Sequence, residues 1–286
     1  MKTVILFLAT NLAVLVLLSI ILQILGINQL HGLLIFALFI GMGGAFVSLA
    51  ISKWSAKIAT KAQVITQPNH PVEIRLIDMV RRQANAAGIG MPEVAIYDAV
   101  DINAFATGMN RNNALVAVST GLLQAMEPDE LEAVLAHEIS HIANGDMVTM
   151  ALIQGVINTF VIVLARIIGQ LVDRVLFKNE EGPGLGYWMT SLVAEVILGL
   201  LASLIVMWFS RQREFRADAG SAQLVGAQKM IRALQRLKSA HDGQLPAQLF
   251  AFGIKGSKGS SLIQYWFMSH PPLDERIEAL LKTVDS

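Results

Sequence analysis

The sequence contains no cysteine and little charge. Without cysteine there are no disulfides and no thiolate metal sites, so a transition metal would have to be held by His, Asp or Glu. Only 15% of the 286 residues are charged, against about 25% in ordinary soluble domains, and 54% are hydrophobic. The 22 basic and 22 acidic residues cancel, which leaves no basic field for nucleic acid. There is no internal repeat and no low-complexity tract. With a mean hydropathy of +0.54, a membrane protein is the first expectation. The length suits one sizeable domain plus a few membrane helices.

A bilayer-spanning helix needs about 20 mostly apolar residues. Four runs qualify: 4–25, 30–51, 147–172 and 187–209. The first is longer than the apolar core of a signal peptide and no clear cleavage site follows it, so it reads as an uncleaved anchor. The link 26–29 is short, which makes the first two runs a hairpin. Gly41, Gly43 and Gly44 suit close packing of the second run against the first. Arg166 and Glu195 interrupt the third and fourth runs. Charges are costly in lipid, so these two are expected to pair or to face the protein interior. A transport role for them is the sharper alternative, and a buried core hairpin the blander one. Lys2, Lys53, Lys57, Lys61, Arg211 and Arg213 flank the runs. By the excess of basic residues on cytoplasmic loops, both termini and residues 53–146 face the cytoplasm.

Four parts follow: a transmembrane hairpin at 1–52, the first part of a cytoplasmic catalytic domain at 53–146, a second hairpin at 147–209, and the rest of the catalytic domain at 210–286. Periodicity predicts a helix over 71–88, short strands at 94–97, 104–107 and 114–119, and a turn at 110–113. Ser119 or Thr120 can cap a short helix. Pro128 opens the next helix, which stops at Asn144-Gly145. Another helix runs from 210 to about 239, a Gly/Ser/Lys loop covers 253–261, and an amphipathic helix closes the chain over 273–283. The fold class is mainly α with a small β-sheet.

The decisive residues are His137-Glu138-Ile139-Ser140-His141. At about 100° per residue, His141 lies about 40° around the helix from His137. Both imidazoles can therefore grip one metal ion, and Glu138 sits beside it, where a base can take a proton from an attacking water. The bland alternative is a surface helix with two solvated histidines. A catalytic zinc needs a third protein ligand and an open position. Nothing downstream of His141 fits the metzincin spacing, since position 147 is Met and 151 is Ala. The best candidate is Glu214 in Arg213-Glu214-Phe215-Arg216-Ala217-Asp218. Asp218, four residues on, shares its face and can fix the tautomer of a ligand histidine, with His137 favoured over His141. Ordinary ion pairs to Arg211, Arg213 and Arg216 are the competing reading. Topology favours the metal site, because a membrane hairpin between His141 and Glu214 returns the chain near where it left. Isolated histidines at 31, 70 and 241 are read as solvated or end-of-helix residues.

With His-Glu-Ile-Ser-His at 137–141, Arg-Glu-Phe-Arg-Ala-Asp at 213–218, Asn-Ala-Phe-Ala-Thr-Gly at 103–108 and Ser-His-Pro-Pro at 269–272, the chain resembles the HtpX family of bacterial membrane zinc metalloproteases, relatives of the CAAX prenyl endopeptidases. The resemblance covers essentially the whole chain. It implies a gluzincin-like membrane peptidase with one zinc on His137, His141 and Glu214, and Glu138 as catalytic base. It also implies a part in membrane-protein quality control and stress response at the bacterial inner membrane, with misfolded or membrane proteins as substrates. In this reading His270 is a candidate donor to the oxyanion. Asn103, Ala104 and Phe105 form a strand to which an extended substrate could add. The competing functions are a zinc-containing membrane chaperone or scaffold, for which Glu138 has little purpose, and a prenyl-protein endopeptidase with the same chemistry.

Overall fold

The computed structural model describes residues 5, 9–10, 12–14, 16–20, 31–179, 182–242, 266 and 268–284. The link 26–29 and the loop 253–261 lie outside them. The described elements are mostly helices around one small sheet. They are α1 (His31–Leu38), a π-helical turn (Phe39–Gly43), α2 (Gly44–Thr60), β1 (Gln63–Val64), α3 (Pro71–Ala86), β2 (Glu93–Tyr97), β3 (Ala104–Asn110), β4 (Asn113–Ser119), α4 (Thr120–Ala125), α5 (Pro128–Asn144), α6 (Asp146–Val175), α7 (Leu185–Val225), α8 (Ala227–Asp242) and α9 (Leu273–Val284). Residues 1–50 with 148–206 form one compact unit, and residues 51–147 with 207–286 another.

Three described helices, each with most of its length in the first unit, are long and apolar enough to cross a membrane: Leu34–Thr60, Asp146–Val175 and Leu185–Val225. The sequence leads to an expectation of four, and of the first run, 4–25, only half the residues are described. The apolar side chains of α7 point outward, with Val196, Leu200 and Leu201 more than half exposed, as lipid-facing residues do. Inside, Val14, Leu18, Leu34 and Ala37 pack with Ile162 and Val163. The glycine expectation needs correcting. A Cβ at Gly41 would come 2.7 Å from the backbone nitrogen of Thr159 on α6, and one at Gly43 or Gly44 would meet nothing within 4 Å. Among the described residues, Gly41 alone of the three makes a close approach, and it makes it to Thr159 of the third run. Arg166 lies 3.5 Å from Glu195 and stacks over Trp188, so the two charges within the apolar runs do pair.

In the second unit the sheet order is β1-β2-β4-β3, with β2 parallel and β3 antiparallel to β4. β4 is buried along Ala114–Ser119 and therefore reads as a continuous apolar run. One sheet face packs Val94, Val116 and Val118 with Leu76 and Val80 of α3, Leu135 and Ile139 of α5, Leu234 of α8 and Leu280 of α9. The other face holds Tyr97, Leu115 and Phe105. β3 continues to Asn110, three residues beyond the expected end. β1 was not foreseen, because two residues carry no period. The helix expected from 210 to about 239 is also different. α7 runs unbroken from Leu185 to Val225, and the break falls at Gly226, whose φ of 97° ends it. No glycine or proline occurs between 200 and 219, so the change from apolar to polar composition near 210 leaves the backbone helical. Lys229 of α8 bridges Asp129 and Glu132 of α5 at 2.9 and 2.6 Å, holding the two helices side by side.

Candidate metal centre

α5 begins with Pro128 in its first turn, and the Glu130 carboxylate accepts a hydrogen bond from the Glu127 N–H. It ends at Gly145, whose φ of 72° supplies a left-handed cap. Between these stops, residues 133–142 are all buried. Two histidines and a glutamate in a buried helix must find partners.

His137 and His141 present Nε2 atoms 3.1 Å apart. Glu214, on α7, brings Oε2 to 3.5 Å from His137 Nε2 and Oε1 to 3.4 Å from His141 Nε2. Ligands held tetrahedrally at zinc distances stand about 3.3 Å apart, and these three contacts, which use both oxygens of the carboxylate, are of that size. Glu214 Oε1 is buried without a hydrogen-bond partner, and Arg213 Nε stands 3.8 Å from it. The opposite ring nitrogens are occupied. His141 Nδ1 is 2.6 Å from Asp146 Oδ2. His137 Nδ1 is 2.9 Å from Asp218 Oδ1, close enough for an ion pair although not aligned as a hydrogen bond. A carboxylate at Nδ1 keeps the proton there and leaves Nε2 free to ligate. Arg276, on α9, grips Asp218 in turn, with Nε and Nη2 at 2.7 and 2.6 Å from its two oxygens.

The electrostatics follow from these contacts. Burial would lower His141, but the Asp146 and Glu214 carboxylates outweigh it and push the imidazole up to about 9. Burial opposes His137 too, and Asp218 with Glu214 raises it nonetheless. Burial would raise Asp218, yet Arg276 and then His137 hold its carboxyl below the usual range. Glu214 is likewise held down, against its burial, by His137, His141 and His270. Glu138 moves the opposite way: burial pushes its carboxyl up. Its environment therefore favours holding a proton.

The site opens on a cavity of about 480 Å3 lined by Asn103, Ala104, His137, Glu138, Glu214 and His270, with Arg276 and apolar side chains around them. Ala104 begins the edge strand of the sheet and Asn103 immediately precedes it. Phe105 has its ring against Tyr97 and does not line the cavity. His270 Nδ1 lies 2.9 Å from Glu214 Oε2, and the side chain is 59% exposed. His137, Glu138, His141, Glu214, Asp218, His270, Asn103 and Ala104 are thus brought together. Sequence reasoning missed Asp146 and Arg276. Arg276 did leave a signal, since it falls on the apolar stripe of α9 with Leu273, Ile277 and Leu280. A buried cation on such a stripe calls for a partner. Asp146 follows the Gly145 stop and left no comparable mark.

Residues 72–284 match peptidase family M48. The chain is 62% identical to a protease HtpX homolog of Nitrosomonas europaea, over 98% of this chain and 99% of that protein. It is 60% identical to protease HtpX of Thioalkalivibrio sulfidiphilus, over 98% of this chain and 98% of that one. Among solved structures it is similar in fold to S. mikatae Ste24p, with a TM-score of 0.65 at 20% identity. That match covers 98% of this chain, which spans 64% of the length of Ste24p.

Proposed function

The chain belongs to peptidase family M48 and is a membrane metalloprotease, and from that premise we propose that His137, His141 and Glu214 hold one zinc ion while Glu138 serves as the catalytic base. One observation carries this reading: two Nε2 atoms 3.1 Å apart face the Glu214 carboxylate, whose unpartnered Oε1 lies 3.4 Å from His141 and whose Oε2 lies 3.5 Å from His137, beside a second carboxylate, Glu138, that is no part of this group. When bound, zinc supplies Lewis acidity to the scissile carbonyl and acidifies the attacking water.

The remaining chemistry falls to side chains. Glu138 takes the proton of the water as it attacks and delivers it to the departing amine, a task suited to a carboxyl raised by burial. Asp146 and Asp218 fix the tautomers and orientation of the two histidines, and Arg276 steadies Asp218. The outer edge of β3 has no strand partner among the described residues. With Asn103 and Ala104 in the cavity wall, it offers an extended peptide main-chain hydrogen bonds. His270, at the same cavity, donates to the developing oxyanion. The proposed substrates are misfolded or membrane proteins. The proposed setting is the bacterial inner membrane, a reading supported by the HtpX relatives, with the site on the cytoplasmic side, a reading supported by the basic residues flanking the apolar runs.

Metal analysis joined to a cleavage assay in detergent tests this. The unaltered protein should hold about one zinc and cut an unfolded model protein. Glu138→Gln should keep the zinc and lose on the order of 10²-fold or more in kcat, the scale of general-base catalysis. A Glu138→Gln protein that cuts as fast as its parent removes Glu138 from the role.

A further inference from the structure

Arg211 is a cation with 7% exposure on α7, and its use differs from that of the ion pairs around it. Its Nη1 donates to two main-chain carbonyls, Trp266 at 3.2 Å and Met268 at 2.9 Å. Hydrogen bonds from a guanidinium are roughly twice as strong as neutral ones, and here both fall on the approach to Ser269-His270-Pro271-Pro272. Arg211, Glu214 and Asp218 are spaced three and four residues apart, so they form one stripe along the helix. Each meets the C-terminal segment in the same order. Arg211 takes the carbonyls of 266 and 268, Glu214 meets His270 at 2.9 Å, and Asp218 meets Arg276 at 2.6 Å.

Pro271 and Pro272 have no N–H, so the main chain just after His270 offers no donor of its own. The Met268 carbonyl, two residues before His270, is the near anchor. We propose that Arg211 is a positioning residue. It holds the main-chain carbonyls of Trp266 and Met268 so that the His270 imidazole stands against Glu214 at the mouth of the catalytic cavity. This rests on the reading of His270 as an oxyanion donor. Arg211 is neither one of the three ligands nor a cavity-lining residue, although the Met268 it holds lines the cavity, so its loss leaves metal binding intact and displaces His270.

The test is a mutant cycle on the full chain in detergent, zinc-loaded, with Arg211→Met and Arg211→Lys, each alone and combined with His270→Ala. Losing one preorganised donor costs about 10²- to 10³-fold in other enzymes. Arg211→Met should accordingly lower kcat about tenfold or more, with KM and zinc content unchanged. Added to His270→Ala it should cost nothing further, since residues acting through one another are not additive. Arg211→Lys, which keeps a cation and a donor, should fall between. Hydrogen exchange gives a readout free of activity: peptides containing 266–270 should exchange faster in Arg211→Met, while those of α5 keep their rate. Equal factors of loss with and without His270, loss of zinc, or faster exchange in α5 would each overturn the proposal. If Arg211→Met does not fold, Arg211→Lys carries the same cycle. Full activity in His270→Ala beside an inactive Glu138→Gln would overturn it as well, and would leave the zinc peptidase reading standing.

Discussion

Asp218 is 2% exposed and Arg276 7%, and between them they form a two-pronged ion pair under His137. Such a pair adds little net stability over an apolar replacement, yet removing one partner alone strands a charge. Arg276→Met should therefore destabilise the protein by about 3–5 kcal/mol. Asp218 would then be an uncompensated anion with only His137 to answer it, and the ring would lose its fixed orientation along with part of the zinc affinity. Pairing Arg276→Met with Asp218→Asn removes the stranded charge and should recover much of the stability while leaving zinc binding weak. Thermal melting and zinc titration of the three variants decide the matter. Should Arg276→Met melt with the parent, the pair is not under the stress assigned to it.

At the scale of elements, the metal centre depends on how closely α7 approaches α5. Ser221 Oγ donates to the Ala133 carbonyl at 2.8 Å, and next to it Gly220 sits over Ser140. A Cβ on Gly220 would lie 2.5 Å from Ser140 Oγ and 2.8 Å from its Cβ. The hydroxyl could rotate away, but the Cβ cannot. Gly220→Ala should cost about 1–3 kcal/mol as overpacking. It should also weaken zinc binding, because the helix it pushes outward carries Glu214. Gly199→Ala, on the same helix with nothing within 4 Å of the new Cβ, is the control. Equal zinc affinity in both variants would mean that the approach at Gly220 does not set the ligand spacing. These elements also show what was legible in the sequence. α5 announced itself through Pro128, Gly145 and a metal-type spacing confined to one turn of helix. α7 did not, because the shift from apolar to polar near 210 looks like a boundary although nothing there breaks a helix. Local spacing brought His137, Glu138 and His141 into view, and an i,i+4 pair suggested Glu214 with Asp218. Arg276 lies 58 positions from the Asp218 it binds, and Arg211 lies 57 from the Met268 carbonyl it holds. No periodicity reports a contact of that range. Only the fold makes it.

For the whole molecule, protons and zinc compete for the same atoms, and this sets opposite responses to pH with and without metal. In the metal-free protein the ordinary histidine value of 6.5 rises to about 9 for His141, and His137 moves the same way. A group whose folded value is raised binds more protons folded than unfolded. Its contribution is complete below the unfolded value and disappears as pH climbs through the folded one. Burial raises Glu138, which acts with the same sign. Glu214 and Asp218 are lowered, so their contributions are already constant above the carboxylate range. Metal-free protein should thus lose thermal stability between about pH 6.5 and 9. Zinc binding runs the other way, since the metal must displace a proton from His141 at neutral pH. The apparent zinc affinity should rise about tenfold per pH unit for each proton displaced, until His141 is neutral near pH 9. Added zinc should raise the melting temperature little at pH 6 and strongly at pH 8, in step with that affinity. Melting curves in detergent across this range, with a chelator and with buffered zinc, measure both slopes at once. Parallel slopes would mean that His141 carries no extra proton in the metal-free site, and that its short contact to Asp146 holds a neutral ring.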